Sequence, residues 1–516
     1  MPSFFETEFE EHKKEKLTMN IIPTPKKIEL TEGKYYLLEG TVATYEEFAG
    51  AIVSFKEYVK RIYNLDIQVK QDASIQIVKD NSMPDEAYTL EIKDGKVNIY
   101  AAEMTGVNHA FATILQIMDV ENGLLRLPEV QITDKPDAIY RSMMVDLARV
   151  WHSFDYVLGY VDMCYFYKAS ALHLHFTDDQ SYTLPSKLLP KLSTEARSYT
   201  MEQIQELVEY AHARGIELIP EIDVPGHCKS FAEGYGELFG TNAIICQHED
   251  SMQAMRDLFA ELCDMFPYSK YIHIGGDEAW AMEEWTKCPK CQAYAKSVGI
   301  DADMEDKKQL CEEMYVHFIN EMAKIVFAKG KRPIVWEGFA KCMNDKISRE
   351  MWVMAWENYY QVTADLLEAG FTIINCSWNP TYVVTPVVMW SQKEVFDWSL
   401  YSWKAVHPDS PIKENGYEAP KSKQIIGGQL HAWGDAIIRE CSDFEEGVYQ
   451  EWNHVMDRLP IVAENTWNIE KITDFESMMA ALDVQKEKLA KIQGKVTKYY
   501  ADRREASDAI VQQAEF

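Results

Sequence analysis

The chain reads as an α/β protein whose larger part is a (β/α)8 TIM barrel, preceded by a small α+β domain and followed by helices. Three observations predict this. After Pro136, eight short runs of strand character appear, most of them separated by helical stretches. Polar clusters follow the carboxyl ends of those runs, where barrels of this kind keep their chemistry. Ahead of Thr133 the pattern differs, with short alternating segments and two helical stretches.

The small domain is expected over 19–136, with a helix over 45–63 and strands over 87–92 and 96–100. A second helix over 106–120 carries apolar Val107, Ala110, Leu115 and Met118. The break falls near Thr133-Asp134-Lys135-Pro136. The barrel then occupies 137–470, with strands over 142–147, 171–176, 216–220, 271–274, 333–336, 352–355, 371–376 and 424–428. Helices are expected over 154–167, 202–214, 252–265 and 310–329. The alternative, an open doubly wound sheet, lacks the Gly-x-Gly-x-x-Gly turn that would support dinucleotide binding after its first strand. Residues 1–18 form a charged tail, and 471–516, rich in Ala, Lys, Glu and Gln, read as one or two helices.

Composition narrows the function. A chain of 516 residues with 47% hydrophobic content buries a large core. Fifty-two basic against 82 acidic residues give a formal charge of -30, which repels phosphate backbones and anionic bilayers. Neither nucleic acid nor membrane is an expected partner. No stretch reaches the ~20 apolar residues of a membrane span. The charged opening lacks the apolar centre of a secretion signal, so the chain is expected to be cytoplasmic. Ten scattered cysteines fit reduced thiols. Cys288 and Cys291 have a zinc-like spacing, but no second such pair or His pair follows at knuckle distance, so two free thiols are the expectation.

The most informative segment is Tyr271-Ile-His-Ile-Gly-Gly-Asp-Glu-Ala-Trp280. A buried strand runs into Gly275 and Gly276, which leave room for a ligand near the backbone, and then into Asp277 and Glu278. Two like charges side by side, partly walled by Trp280, push at least one carboxyl toward its protonated form. An acid that keeps its proton near neutral pH can donate it to a leaving group.

Other strand ends carry matching groups. The first ends in Asp146-Leu-Ala-Arg149, and the second in His173-Leu-His175-Phe-Thr-Asp178. The third runs into Asp223-Val-Pro-Gly-His227, the fifth into Trp336-Glu337 and the sixth into Trp356-Glu357. The seventh gives Trp378 and Tyr382, and the eighth Trp433-Gly-Asp435. Carboxylates, one arginine and several indoles suit a pyranose ring, whose hydroxyls take bidentate hydrogen bonds and whose apolar face stacks on indole. A rival reading uses His173 and His175 as a metal pair for a metal-dependent barrel hydrolase, with Asp223, His227 and His273 as further ligands. The ordinary reading makes these histidines hydrogen-bonded layers of the barrel interior. A non-catalytic sugar-binding barrel is a third possibility, disfavoured because both carboxylates and Tyr382 are present.

The strand-end set resembles glycoside hydrolase family 20, the β-N-acetylhexosaminidases, over about 20–468. His273-Ile-Gly-Gly-Asp-Glu278 carries the resemblance, reinforced by Asp146-x-x-Arg149, Asp223-Val-Pro-Gly-His227 and Trp433-Gly-Asp435. The resemblance implies exo-acting, retaining hydrolysis of terminal β-linked N-acetylglucosamine or N-acetylgalactosamine, with the substrate's own 2-acetamido oxygen as nucleophile. Its partners are oligosaccharides or glycoconjugates, and neither metal nor organic cofactor is expected for the reaction. By resemblance, Asp277 orients the acetamido group, Glu278 is acid and then base, and Tyr382 bonds the acetamido oxygen. His227, backed by Asp178, tunes Glu278. Trp336, Trp356, Trp378 and Trp433 form walls, Arg149 grips ring hydroxyls, and Asp435 contacts the hydroxyls at carbons four and six. Asp435 replaces the family's usual Glu, and Val384 stands where many members carry an acidic or amide residue.

Overall fold

The computed structural model describes residues 19–240 and 244–494. The tail over 1–18 and any helix beyond residue 494 lie outside the described residues.

The first domain is a mixed sheet covered by two helices. Its strands run in the order Lys27–Leu38, Leu124–Asp134, Tyr88–Lys93, Lys96–Ala101, Ile75–Lys79, Thr41–Val42 and Gln68–Val69. The central hairpin, Tyr88–Lys93 with Lys96–Ala101, turns on Asp94 and Gly95, both at positive φ (51° and 75°). Those angles match the two-residue turn that favours Asp-Gly. Alternate residues of both strands are buried beneath helices Ala49–Tyr63 and Met104–Ile117, where Phe55 stacks on Phe111 at 4.3 Å. The long strands Lys27–Leu38 and Leu124–Asp134 and the short Ile75–Lys79 are additional to the sequence reading.

The barrel strands are β1 (Tyr140–Asp146), β2 (Ala171–His175), β3 (Glu217–Glu221), β4 (Tyr271–His273), β5 (Arg332–Trp336), β6 (Trp352–Ala355), β7 (Thr372–Asn375) and β8 (Ile425–Ala432). Each pairs in parallel with the next, and β8 pairs with both β7 and β1, which closes the ring. Residues of β1 and β2 are buried on both faces, as a parallel strand under helices requires. A short hairpin, Tyr382–Val384 with Val388–Met389, continues the sheet beyond β8, pairing Tyr382 with His431. This extension sets Tyr382 above the barrel mouth.

The two domains share a built interface. Arg141 of β1 is buried and donates to both oxygens of Glu86 at 2.9 and 3.0 Å. Helix Phe444–Trp467 packs against β1 and β8, and its Trp467 Nε1–H donates to Asp134 at 2.9 Å. The final described helix, Phe475–Gln493, lies across Ala49–Tyr63 and Phe154–Phe166. Lys488 there donates to the carbonyls of Leu115, Gln116 and Met118 at 3.3, 2.8 and 2.8 Å, capping the end of Met104–Ile117. Among the described residues no helix is long and apolar enough to cross a membrane.

Candidate active site

β4 delivers the two acids, and the glycines between serve packing. A Cβ on Gly275 (φ +80°) would lie 1.9 Å from Asp223 Oδ1 and 2.5 Å from Asp223 Cα. One on Gly276 (φ +100°) would meet the Tyr315 hydroxyl at 2.8 Å. The space expected for a ligand is thus filled by Asp223 and Tyr315, whose hydroxyl donates to the Gly276 carbonyl. The tight turn swings Asp277 and Glu278 up to a pocket of about 420 Å³ at the carboxyl ends of the strands. A larger cleft, about 650 Å³, opens at the other end of the strands, around Tyr140, Ala171, Glu217, Tyr271 and Trp352, and none of the residues given roles from the sequence lines it.

Asp277, Glu278, His227, Asp178, Arg149, Trp356, Trp378, Tyr382, Trp433 and Asp435 all line the 420 Å³ pocket. Ten of the eleven residues singled out from the sequence therefore converge. The eleventh, Trp336, does not: it is 1% exposed, lies beneath the pocket, and donates Nε1–H to Glu221 at 2.6 Å. Strand alternation turns its indole into the barrel axis, so it supports Trp433 (ring centroids 6.1 Å apart) and forms no wall. Trp280 is 58% exposed and packs on Tyr359 and Tyr360 outside the pocket, so it does not wall the acids as expected. Glu337 and Glu357 are buried loop anchors, accepting from the backbone N–H groups of Asn358 and Tyr360 and of Val406 and His407 respectively.

Aromatic rings build one side. Tyr382 stacks with Trp378 at 5.1 Å and Trp356 at 6.4 Å, and Trp433 closes the box at 6.2 Å. The opposite side is charged. Arg149 donates to Asp146 at 3.1 Å and pairs with Asp178 at 2.8 Å, while its guanidinium lies 4.9 Å from the Trp433 ring. Asp178 is the junction of this network, with His175 Nε2 at 3.1 Å and His227 Nδ1 at 3.4 Å from its Oδ2. His227 Nε2 in turn lies 3.3 Å from Glu278 Oε2. Asp435 pairs with Arg439 at 3.1 Å on the far rim. Arg439, Asp179 and Gln180 line the pocket without having been given roles from sequence. Arg439 was legible as the i,i+4 partner of Asp435.

The protons distribute unevenly. Burial raises Asp277, the nearby His227 opposes it, and the Glu278 charge adds to the rise, leaving the carboxyl at about 6. Asp223 is held well above the usual carboxylate range by burial and the Asp277 charge, and it hydrogen-bonds to Asp277. Burial opposes the charged form of His227, but Asp178 and Asp223 outweigh it and hold the imidazole well above its ordinary value. Burial also raises Glu278, yet the hydrogen bond and charge of His227, with Arg149, hold it below the ordinary value. The acid of raised pKa is therefore Asp277, while Glu278 is held low beside a raised His227.

His173 and His175 lie below this site. Both are fully buried and meet Glu221 at 3.1 and 2.5 Å, with His273 at 2.9 Å from the same carboxyl. Glu221, held ionised by these three imidazoles despite its burial, is the hub of a polar layer inside the barrel. Neither histidine lines the pocket, so the His173–His175 pair on which the metal-hydrolase reading rests stands apart from Asp277 and Glu278, and of its further candidates only His227 reaches the pocket.

Comparison with known proteins agrees with this geometry. The model of glycosyl hydrolase family 20, catalytic domain, matches residues 139–470, and that of domain 2 of the same family matches 18–135. A β-hexosaminidase of Vibrio furnissii is 26% identical over 459 residues, spanning 81% of this chain and 73% of its own length. A human β-hexosaminidase subunit beta is 25% identical over 419 residues, spanning 77% of this chain and 69% of its own. The fold is shared with an exo β-N-acetylglucosaminidase from Vibrio harveyi solved with N-acetylglucosamine (TM-score 0.75, 23% identity, 93% of this chain and 78% of that one). It is also shared with a β-N-acetylhexosaminidase from Bacteroides fragilis (TM-score 0.74, 22% identity, 92% and 96%). With both family models matching in sequence order and the acids of β4 meeting the aromatic box in one pocket, the chain is a glycoside hydrolase and belongs to glycosyl hydrolase family 20.

Proposed function

We propose that Asp277 and Glu278 drive substrate-assisted hydrolysis in this β-N-acetylhexosaminidase, releasing terminal β-linked N-acetylhexosamine with retained configuration. One observation supports this reading above the others. Asp277 Oδ1 is buried on the pocket wall and has no hydrogen-bond partner among the described residues, while the other side of its carboxylate is held by Asp223. An acceptor so placed asks for a donor from the substrate. The N–H of a 2-acetamido group supplies it, and the box of Trp356, Trp378, Tyr382 and Trp433 receives the methyl group and sugar face.

In this reading the acetamido oxygen attacks the anomeric carbon as the glycosidic bond breaks. Asp277 stabilises the positive charge that grows on the amide nitrogen. Glu278 protonates the departing oxygen and then takes a proton from the water that opens the oxazolinium ring. The side chain of Glu278 is 34% exposed. A bound sugar excludes solvent from Glu278, the desolvation raises its pKa, and the proton crosses the 3.3 Å contact from His227. Arg149 and Asp435 hold ring hydroxyls at the polar rim. The first-formed product anomer on a nitrophenyl β-N-acetylglucosaminide, followed by NMR, tests the proposal. The β-anomer, with negligible turnover of the plain β-glucoside, is the expected result. An α-anomer first product, or equal rates on both glycosides, refutes it.

A further inference from the structure

The two loops that carry His227 and Glu278 meet a second time, away from the pocket, at three cysteines. Cys246 Sγ lies 3.3 Å from Cys291 Sγ and 3.7 Å from Cys288 Sγ, and all three sulfurs fall within 4.8 Å of one another. We propose that Cys246, Cys288 and Cys291 bind one zinc ion in a structural site whose fourth position is taken by water.

Spacing supports this. Tetrahedral zinc with sulfur at about 2.3 Å places its ligand sulfurs about 3.8 Å apart. A disulfide needs about 2.05 Å and would leave the third thiol unmatched. Cys288 and Cys291 supply the Cys-x-x-Cys half from the start of helix Pro289–Ser297. The Cys246 half comes from 42 residues upstream, a distance that no sequence motif encodes. Cys291 is buried, whereas Cys246 and Cys288 are half-buried, so one side of the triangle stays open for a water ligand.

The placement gives the site a purpose. Ile245, next to Cys246, donates its N–H to the Pro225 carbonyl at 2.9 Å, and its own carbonyl accepts from Trp285 Nε1 at 2.8 Å. Pro225 is two residues from His227, and Trp285 sits on the segment that follows Glu278. His227 (φ +44°) and Glu278 (φ +45°) both hold left-handed backbone conformations that cost a non-glycine residue energy. A metal clamp on the loops after β3 and β4 would keep both in register. The ion takes no part in the reaction.

The test uses the full chain, stripped with chelator under reducing conditions and titrated with cobalt(II). A thiolate-to-cobalt charge-transfer band should saturate at about one equivalent and be bleached by one equivalent of zinc. Zinc should raise the melting temperature of the wild type by about 5 °C. Cys246→Ser and, separately, Cys288→Ser should lose both the band and the zinc-dependent shift. The proposal is overturned if the reduced chain gives no thiolate band, or if Cys246→Ser retains metal as the wild type does. Thiol counting that finds a Cys246–Cys291 disulfide which persists in place of metal binding also overturns it. None of these outcomes bears on the acetamido mechanism, which the product anomer reads separately.

Discussion

Replacing Asp277 by Asn isolates one charge. Asp223, held well above the usual carboxylate range, hydrogen-bonds to Asp277, and the amide of Asn keeps that contact, so the fold around the site is preserved. What is lost is a negative charge at a position 7% exposed. With a positive charge growing about 4 Å away and an effective dielectric constant of about 20, the lost stabilisation is about 4 kcal/mol. That corresponds to about a thousandfold in kcat, within the span seen when a single preorganised group is removed from a developing charge. The pH profile sharpens the test. The working form of Asp277 is the anion, and its carboxyl sits at about 6, so the wild-type rate should fall about tenfold per unit below pH 6. The variant has no such group and should lack that acidic limb. The assay is kcat and kcat/KM on a nitrophenyl β-N-acetylglucosaminide from pH 4 to 9. A variant within tenfold of wild type, or one with an unchanged acidic limb, refutes the reasoning.

Glu278→Gln should cost about 10²–10⁴ in kcat on a disaccharide, whose leaving group needs a proton, and far less on a nitrophenyl glycoside, whose leaving group does not. Equal losses on both substrates would remove Glu278 as the acid. His227→Asn should move the alkaline limb of kcat/KM down by more than one pH unit, because the proton reservoir held high by Asp178 and Asp223 is gone; an unmoved limb contradicts the shared-proton account. Asp178→Asn leaves Arg149, His175 and His227 without their common buried anion and should cost about 3 kcal/mol in urea unfolding, with a change under 1 kcal/mol counting against the network. Gly275→Ala drives a Cβ to 1.9 Å from Asp223 Oδ1 at φ +80° and should abolish activity and lower the melting temperature by well over 5 °C. Gly33→Ala, at φ +75° with open space around it, is the control and should cost only about 1 kcal/mol.

The order of elements was readable because each signal is local. β6 falls on the run predicted for it, Trp352 to Ala355, and helix Phe154–Phe166 lies within one residue of its expected end. Buried parallel strands are short β-branched runs, and the helices between them announce themselves by period. The edge strand Lys27–Leu38 was not legible, since its residues are largely exposed and its partner, Leu124–Asp134, lies some ninety residues downstream. The chemistry followed the same division. Asp277, Glu278, Tyr382 and Arg149 were identifiable because a barrel sends the residues after its strands to one face.

What the chain could not disclose in one dimension is how side chains apportion space and protons. The Gly275-Gly276 pair invited a ligand on paper, yet Asp223 and Tyr315 occupy that room. Trp336 and Trp280 read as walls, but one turns into the barrel axis and the other toward solvent. The sequence paired two acids and required that one be perturbed. Only the arrangement of Asp223, His227 and Arg149 around them decides that the raised carboxyl is Asp277 and that Glu278 is held low. Residue order fixes which groups exist and which end of a strand they follow. Desolvation and distance fix what each does, because both depend on neighbours that the backbone brings in from elsewhere.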